Sequence, residues 1–202
     1  MPTRRRLSPA ARRAQLLDVA AHLFAARPYD EVLMEEVAER AGVSRALLYQ
    51  HFATKRDLFA ALYQEVSAQL LAQTRLDPAD TLVEQLVEGL DAHIAYFAEN
   101  RHTVLAANRV LAGDLLVQTI IADELDALRE RLLGVLPLAD ARTRATVSGV
   151  LKSWLVFVQV LCVDWLTDGT ASRTELRDVC VGAVVGALRP LFDEDPAPDW
   201  PR

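Results

Sequence analysis

Cysteine is almost absent from the 202-residue chain: Cys162 and Cys180 stand without a cysteine or histidine partner at metal-ligand spacing. That pattern excludes a disulfide framework and a zinc site, and it points to a reducing compartment. Glycine (8) and proline (9) are scarce and aromatics reach only 6%, which argues against a β-sandwich punctuated by glycine turns. Catalytic signatures are missing too: no GxSxG, Walker loop, dinucleotide fingerprint or HExxH occurs, so neither an enzyme nor a cofactor is expected. Glu99 and His102 form one Glu-x-x-His pair, but a di-iron bundle needs a second copy and two more glutamates, so no metal is expected. Arg4, Arg5 and Arg6 resemble the start of a twin-arginine leader, yet Arg12, Arg13 and Asp18 interrupt the apolar stretch that must follow. Export is therefore not expected, and a cytoplasmic protein is. The most apolar run, Val147 to Val163, contains Ser148, Lys152, Ser153 and Gln159; it reads as a helix buried from two sides rather than a membrane span.

What is present is helix-forming and unevenly charged. Hydrophobic residues make up 51% of the chain and charged residues 25%, enough for a folded core and against disorder. The formal charge of −6 hides a division after Arg56: residues 1–56 carry ten basic and six acidic side chains, net +4, and the remainder nets −10. A basic head on an acidic body suggests a polyanion partner at one end only.

Start and stop signals divide the chain into about nine helices. Ser8-Pro9 opens the first and Arg27-Pro28 ends it; the second runs from about Leu33 to Ala41 and closes at Gly42. Ser44 caps a third through His51, and Thr54-Lys55-Arg56-Asp57 is a capping box for a fourth. Asp77-Pro78 signals the start of a fifth that lasts to about Asn100; Gly113-Asp114 separates the sixth from the seventh, which Pro137 ends. The eighth spans about Asp140 to Asp168, and a Ser172–Glu175 capping box opens the ninth, to about Phe192. The expected fold is all-α: an N-terminal arm and three-helix helix-turn-helix domain over 1–56, a helical ligand-binding and dimerisation body over 57–192, and a disordered acidic tail over 193–202.

The head carries the chemistry. Two short helices flank Ala41-Gly42-Val43-Ser44, and burial of Leu48 and Phe52 turns Arg45, Tyr49 and Gln50 outward. Such a helix fits the major groove of DNA. The expected DNA contacts are Ser44, Arg45, Leu47, Tyr49, Gln50, His51, Thr54 and Lys55, with Arg4, Arg5 and Arg6 reaching the minor groove.

At this point residues of about 12–62 resemble the DNA-binding domain of TetR-family transcription regulators. The match lies in Ala20-Ala21-His22-Leu23-Phe24-Ala25, in Val37-Ala38-Glu39-Arg40-Ala41-Gly42-Val43-Ser44, and in Leu48-Tyr49-Gln50-His51-Phe52-Ala53-Thr54-Lys55-Arg56-Asp57-Leu58. The chain departs from the family pattern at Pro28, where glycine is usual, at Leu33, where Ser or Thr often caps, and at Ala46-Leu47, where Gly-Thr is common. Asp30 is the expected substitute cap. The resemblance implies a homodimeric repressor on a palindromic operator of double-stranded DNA, with the last two long helices pairing and a small effector held in the body.

In the body, His93, Tyr96, Phe97, Asn108, Gln118, Trp154, Phe157 and Trp165 are the candidate effector-lining residues, polar or aromatic groups on helices that enclose the interior. Val156, Val160 and Val163 on the eighth helix, with Val179, Gly182, Ala183, Gly186 and Ala187 on the ninth, are the candidate dimer face. Two other readings stay open: a ligand-binding or catalytic helical bundle, and an architectural DNA binder without effector.

Overall fold

The computed structural model describes residues 7–73, 81–138 and 140–192. The arginine arm, the Asp77-Pro78 helix start and the acidic tail lie outside the described residues. Among those described there are nine α-helices and no strand: α1 Pro9–Ala26, α2 Met34–Arg40, α3 Arg45–His51, α4 Lys55–Gln73, α5 Leu82–Glu99, α6 Arg101–Leu105, α7 Leu115–Val135, α8 Ala141–Asp168 and α9 Arg173–Leu188. The chain is all-α. It divides into two compact units, residues 1–67 with 100–120, and residues 68–99 with 121–202.

The first unit is built on α1. Ser8 Oγ accepts the Ala11 N–H at 3.2 Å and Pro9 takes the first helical position, where its missing N–H is harmless. Leu16, Leu17, Ala20, Leu23 and Phe24 then form one buried stripe. Arg27 leaves the helix in extended conformation, as a residue before proline must. Phe24 stacks on Tyr29 at 5.6 Å, and Phe59 of α4 meets both rings edge-on at 5.2 and 5.4 Å. α1 packs on α2 and on α6, and α2 on α3. α6 continues into one wide turn over Ala106–Val110, closed by Leu111 N–H to Ala106 O at 2.8 Å; Gln118 Nε2 donates to the carbonyls of Ala107 and Leu111, both at 3.1 Å.

Expectation and structure differ at α2. Leu33 is its N-cap and makes no capping bond, and Asp30 does not stand in for one. A 3-10 turn over Tyr29–Glu31 delivers the chain instead. Glu35 and Glu36 in the first turn supply negative charge to the helix's positive end.

In the second unit α9 packs on α5 and α8, and α5 on α8. Trp154 Nε1 donates to Cys180 O at 2.8 Å inside the core, and Arg177 of α9 pairs with Asp91 of α5 at 3.0 Å. Gly169 turns the chain after α8 at φ 55°, a left-handed geometry that suits glycine; Trp165 Nε1 fastens the turn by donating to Ala171 O at 2.7 Å. α8 is long and apolar enough to cross a membrane, yet it packs here with Val147, Leu151, Trp154, Leu155, Val158 and Cys162 buried. Its opposite side is open: Val156, Phe157 and Val160 are exposed within the chain. The expected second burial is not made by the protein's own helices.

His93 on α5 is the weak point of this unit. The residue keeps some contact with solvent, but its Nε2 is buried without a hydrogen-bond partner among the described residues. Burial pushes its pKa down from 6.5 to about 4. The folded state therefore favours neutral His93, and its contribution is complete above pH 6.5 and lost as pH falls toward 4. Between pH 7 and 5 the wild type should lose about 2 kcal/mol more stability than His93→Leu, measured by urea unfolding; parallel losses would show that His93 is not the titrating group.

Candidate nucleic-acid interface

Ser44 Oγ accepts the Leu47 N–H at 3.2 Å and opens α3. Gly42, at φ 63°, reverses the chain just before it, and Gln15 Nε2 of α1 donates to Ala41 O at 3.1 Å, tying the turn to the longest helix of the head. Leu48 is fully buried. Phe52 is buried at the far end, with the Arg13 guanidinium 5.3 Å above its ring. With that face held inward, Arg45, Tyr49 and Gln50 are exposed together, while Leu47 and His51 are half-buried. Tyr49 is 45% exposed, a large aromatic outside the core. Arg45 lies 3.5 Å from Glu35, an exposed pair of the weak kind that yields readily to a phosphate.

The α3–α4 junction continues this surface. Thr54 N–H donates to Asp57 Oδ2 at 3.1 Å and Asp57 N–H to Thr54 Oγ1 at 3.0 Å, the capping box read from the sequence. Thr54 is exposed. The Asp57 carboxyl is held below its usual range, first by the Thr54 hydroxyl and then by Arg56, against the opposing effect of burial.

Lys55 makes contacts within the head that were not expected. Its ammonium donates to Tyr29 O at 2.9 Å and Val32 O at 3.2 Å, and it sits 4.4 Å from the centroid of the Tyr29 ring. A lysine so placed fastens α4 to the 3-10 turn before α2. Nothing in the order of residues signals this, because the partners are backbone carbonyls some 25 residues away.

The body residues fall into separate places. His93 and Phe97 lie ring to ring at 4.0 Å with Tyr96 beside them, and burial, aided by Glu124, pushes the Tyr96 hydroxyl up to about 12. Asn108 and Gln118 belong to the first unit, and each donates to backbone carbonyls. Both tryptophan N–H groups are engaged by carbonyls as well. Phe157 is not an interior residue: it shares the exposed side of α8 with Val156 and Val160, one helical turn apart. On α9, Val179, Gly182, Ala183, Gly186 and Ala187 are exposed. Val163 is buried, because the chain's own packing closes over that end of the α8 stripe. Among the described residues no three His, Cys, Asp or Glu side chains gather to hold a metal ion.

Tyr49→Ala should therefore weaken binding to duplex DNA on the order of tenfold at an unchanged melting temperature. Lys55→Ala should lower the melting temperature by roughly 5 °C, since about 2 kcal/mol of charged hydrogen bonding is lost. Thermal melts beside fluorescence anisotropy separate the two; a Lys55→Ala protein of full thermal stability would contradict its structural role.

Comparison with known proteins agrees with this geometry. The profile of bacterial regulatory proteins of the tetR family matches residues 16–62. The HTH-type transcriptional activator FasR of Mycolicibacterium smegmatis is 43% identical over 70 residues, 35% of this chain and 32% of FasR; the chain thus matches about a third of that relative's length. A tetR-family transcriptional regulator from Streptomyces coelicolor superposes with a TM-score of 0.82 at 25% identity, over 94% of this chain and 85% of that one. FadR of Bacillus subtilis, solved in complex with stearoyl-CoA, shares the fold with a TM-score of 0.65 at 18% identity, over 86% of this chain and 98% of that one. The helix-turn-helix head over residues 16–62 thus matches the tetR family of bacterial regulatory proteins, and the chain shares its fold with a tetR-family regulator along most of its length.

Proposed function

We propose that the chain is a cytoplasmic, non-enzymatic transcriptional repressor that binds a palindromic operator as a homodimer and is released from it by a small, largely apolar effector. The observation that carries this reading is the one-sided anchoring of α3: Leu48 is buried while Arg45, Tyr49 and Gln50 stand exposed on the same short helix. A polar and aromatic face of that kind reads base edges and phosphates in the major groove. The functional boundary falls at the start of α4, with residues 1–56 reading DNA and 57–192 serving effector binding and dimerisation.

The dimer is supported by the open sides of α8 and α9. A Cβ built on Gly182 or Gly186 meets nothing within 4 Å, so nothing in the chain itself requires a residue that small there. A second copy approaching closely does. An apolar effector is supported by the His93, Tyr96 and Phe97 cluster on α5, and by FadR, a protein of the same fold solved with stearoyl-CoA.

Selection from a random duplex pool should enrich an inverted repeat with half-sites about one helical turn apart. Affinity for it should fall by about 10³–10⁵ between 50 and 200 mM salt if six to ten phosphates are contacted. Folded dimer that enriches no sequence would favour an architectural binder or a ligand-binding bundle. Gly186→Trp should sediment as a monomer with its helical content intact, because the position is exposed and a Cβ there meets nothing within 4 Å; a variant that stays dimeric would place the interface elsewhere.

A further inference from the structure

Asp114, just before α7, uses its two carboxylate oxygens differently. Oδ1 accepts the Leu116 and Val117 N–H groups, both at 3.1 Å, and so caps the helix. Oδ2 lies 3.5 Å from Nη1 of Arg56. The Asp114 side chain is 14% exposed and that of Arg56 53%, so the anion is fixed in place and the cation reaches it from the surface. Arg56 stands in the first turn of α4, two residues after the exposed Thr54, where the DNA-facing surface continues from α3.

A second acid also touches this guanidinium: Asp57 Oδ1, at 3.3 Å from Nη2. Asp57 is the next residue of the same helix and travels with Arg56. Asp114 comes from 58 positions away, so only that contact is made or broken when the two helix starts shift against each other. The pair is also felt by the buried Tyr29, whose hydroxyl is raised above its usual value by burial first, then by Asp30 and Asp114, with Arg56 opposing. Unlike Glu35 beside Arg45, Asp114 is fixed by its capping bonds and largely buried, so turning the Arg56 guanidinium to a DNA phosphate costs the attraction of a carboxylate that cannot follow it.

We propose that the Asp114–Arg56 pair is an autoinhibitory contact: Asp114 withholds Arg56 from the DNA backbone and sets the affinity of the head below what its cations would otherwise reach. This rests on the DNA-binding reading above. A ligand that tightens the pair weakens DNA binding, and one that opens it strengthens binding, in proportion to its preference for either arrangement.

The test is a double-mutant cycle read by anisotropy on a mixed-sequence duplex of about thirty base pairs, long enough for two half-sites, over a salt series. Asp114→Asn keeps an oxygen to cap α7 while removing the charge. It should tighten binding about threefold per head and steepen the slope of log affinity against log salt by about 0.9 per head. In an Arg56→Gln background the same change should do nothing. Asp114→Ser, which also caps but is too short to reach Arg56, should repeat the result and carries the test if the asparagine variant does not fold. Equal tightening in both backgrounds would reduce the effect to general charge and overturn the proposal, as would unchanged or weaker binding by Asp114→Asn and Asp114→Ser. Wild type that does not bind the duplex at any salt would overturn the DNA-binding reading itself, and this proposal with it.

Discussion

Two helices of seven residues each, α2 and α3, cannot persist in water alone, because the nucleation cost of a helix is not recovered in so few turns. Apolar anchoring from one side is the constraint on which the head depends. Val37 on α2 and Leu48 on α3 are fully buried, each contributing about 1.5–3 kcal/mol by leaving water, and Gln15 of α1 holds the turn between them. Since the anchors occupy one face of each helix, the other face carries no packing duty. The residues that face outward on α3 are therefore set by geometry, and their chemistry is free to suit a partner.

The segment entering α2 shows a second consequence of short elements. A helix without a side-chain cap at Leu33 must satisfy its first turn by charge, and Glu36 does this while bound to Arg27 and Arg40. The Arg27 hydrogen bond is the largest cause holding the Glu36 carboxyl below its usual range. Lys55 applies the opposite charge to the opposite problem, giving donors to the carbonyls of Tyr29 and Val32. Both are polar closures of a tight connection, and both use residues that a reading of composition assigns to solvent or to DNA.

Helix starts were the legible part of the fold, since a cap and its partner lie within three residues. Ser8, Ser44, Thr54–Asp57 and Ser172–Glu175 all make the expected bonds, and Asp140, read only as a helix start, caps α8. The described start of α5 uses the same device at Thr81 and Glu84, a pair overshadowed in the sequence by the Asp-Pro signal just before it. Outward placement of Arg45, Tyr49 and Gln50 was legible from the spacing of Leu48 and Phe52. Long-range polar closure was not: Lys55 with Tyr29 O, Gln118 with Leu111 O and Asp114 with Arg56 depend on which groups the fold brings together from distant parts of the chain. Phe157 failed for a related reason. An apolar residue on a helix that is apolar all round has no sequence mark saying which side its own chain covers.

That ambiguity on α8 bears on how the body is built. Gly42 and Gly169 are needed for a left-handed backbone, whereas Gly182 and Gly186 sit inside α9 with ordinary helical geometry and open space where a Cβ would go. A glycine within a helix costs on the order of 1 kcal/mol against alanine, and in α9 neither turn geometry nor internal packing offsets that cost. The same two helices, α8 and α9, also expose Val156, Phe157, Val160 and Val179, apolar groups that lose stability by staying in water. Two separate penalties, one in backbone entropy and one in hydration, fall on the same pair of helices. Close helix-to-helix approach by a second copy, as proposed above, would remove the hydration penalty and give the missing Cβ atoms a purpose.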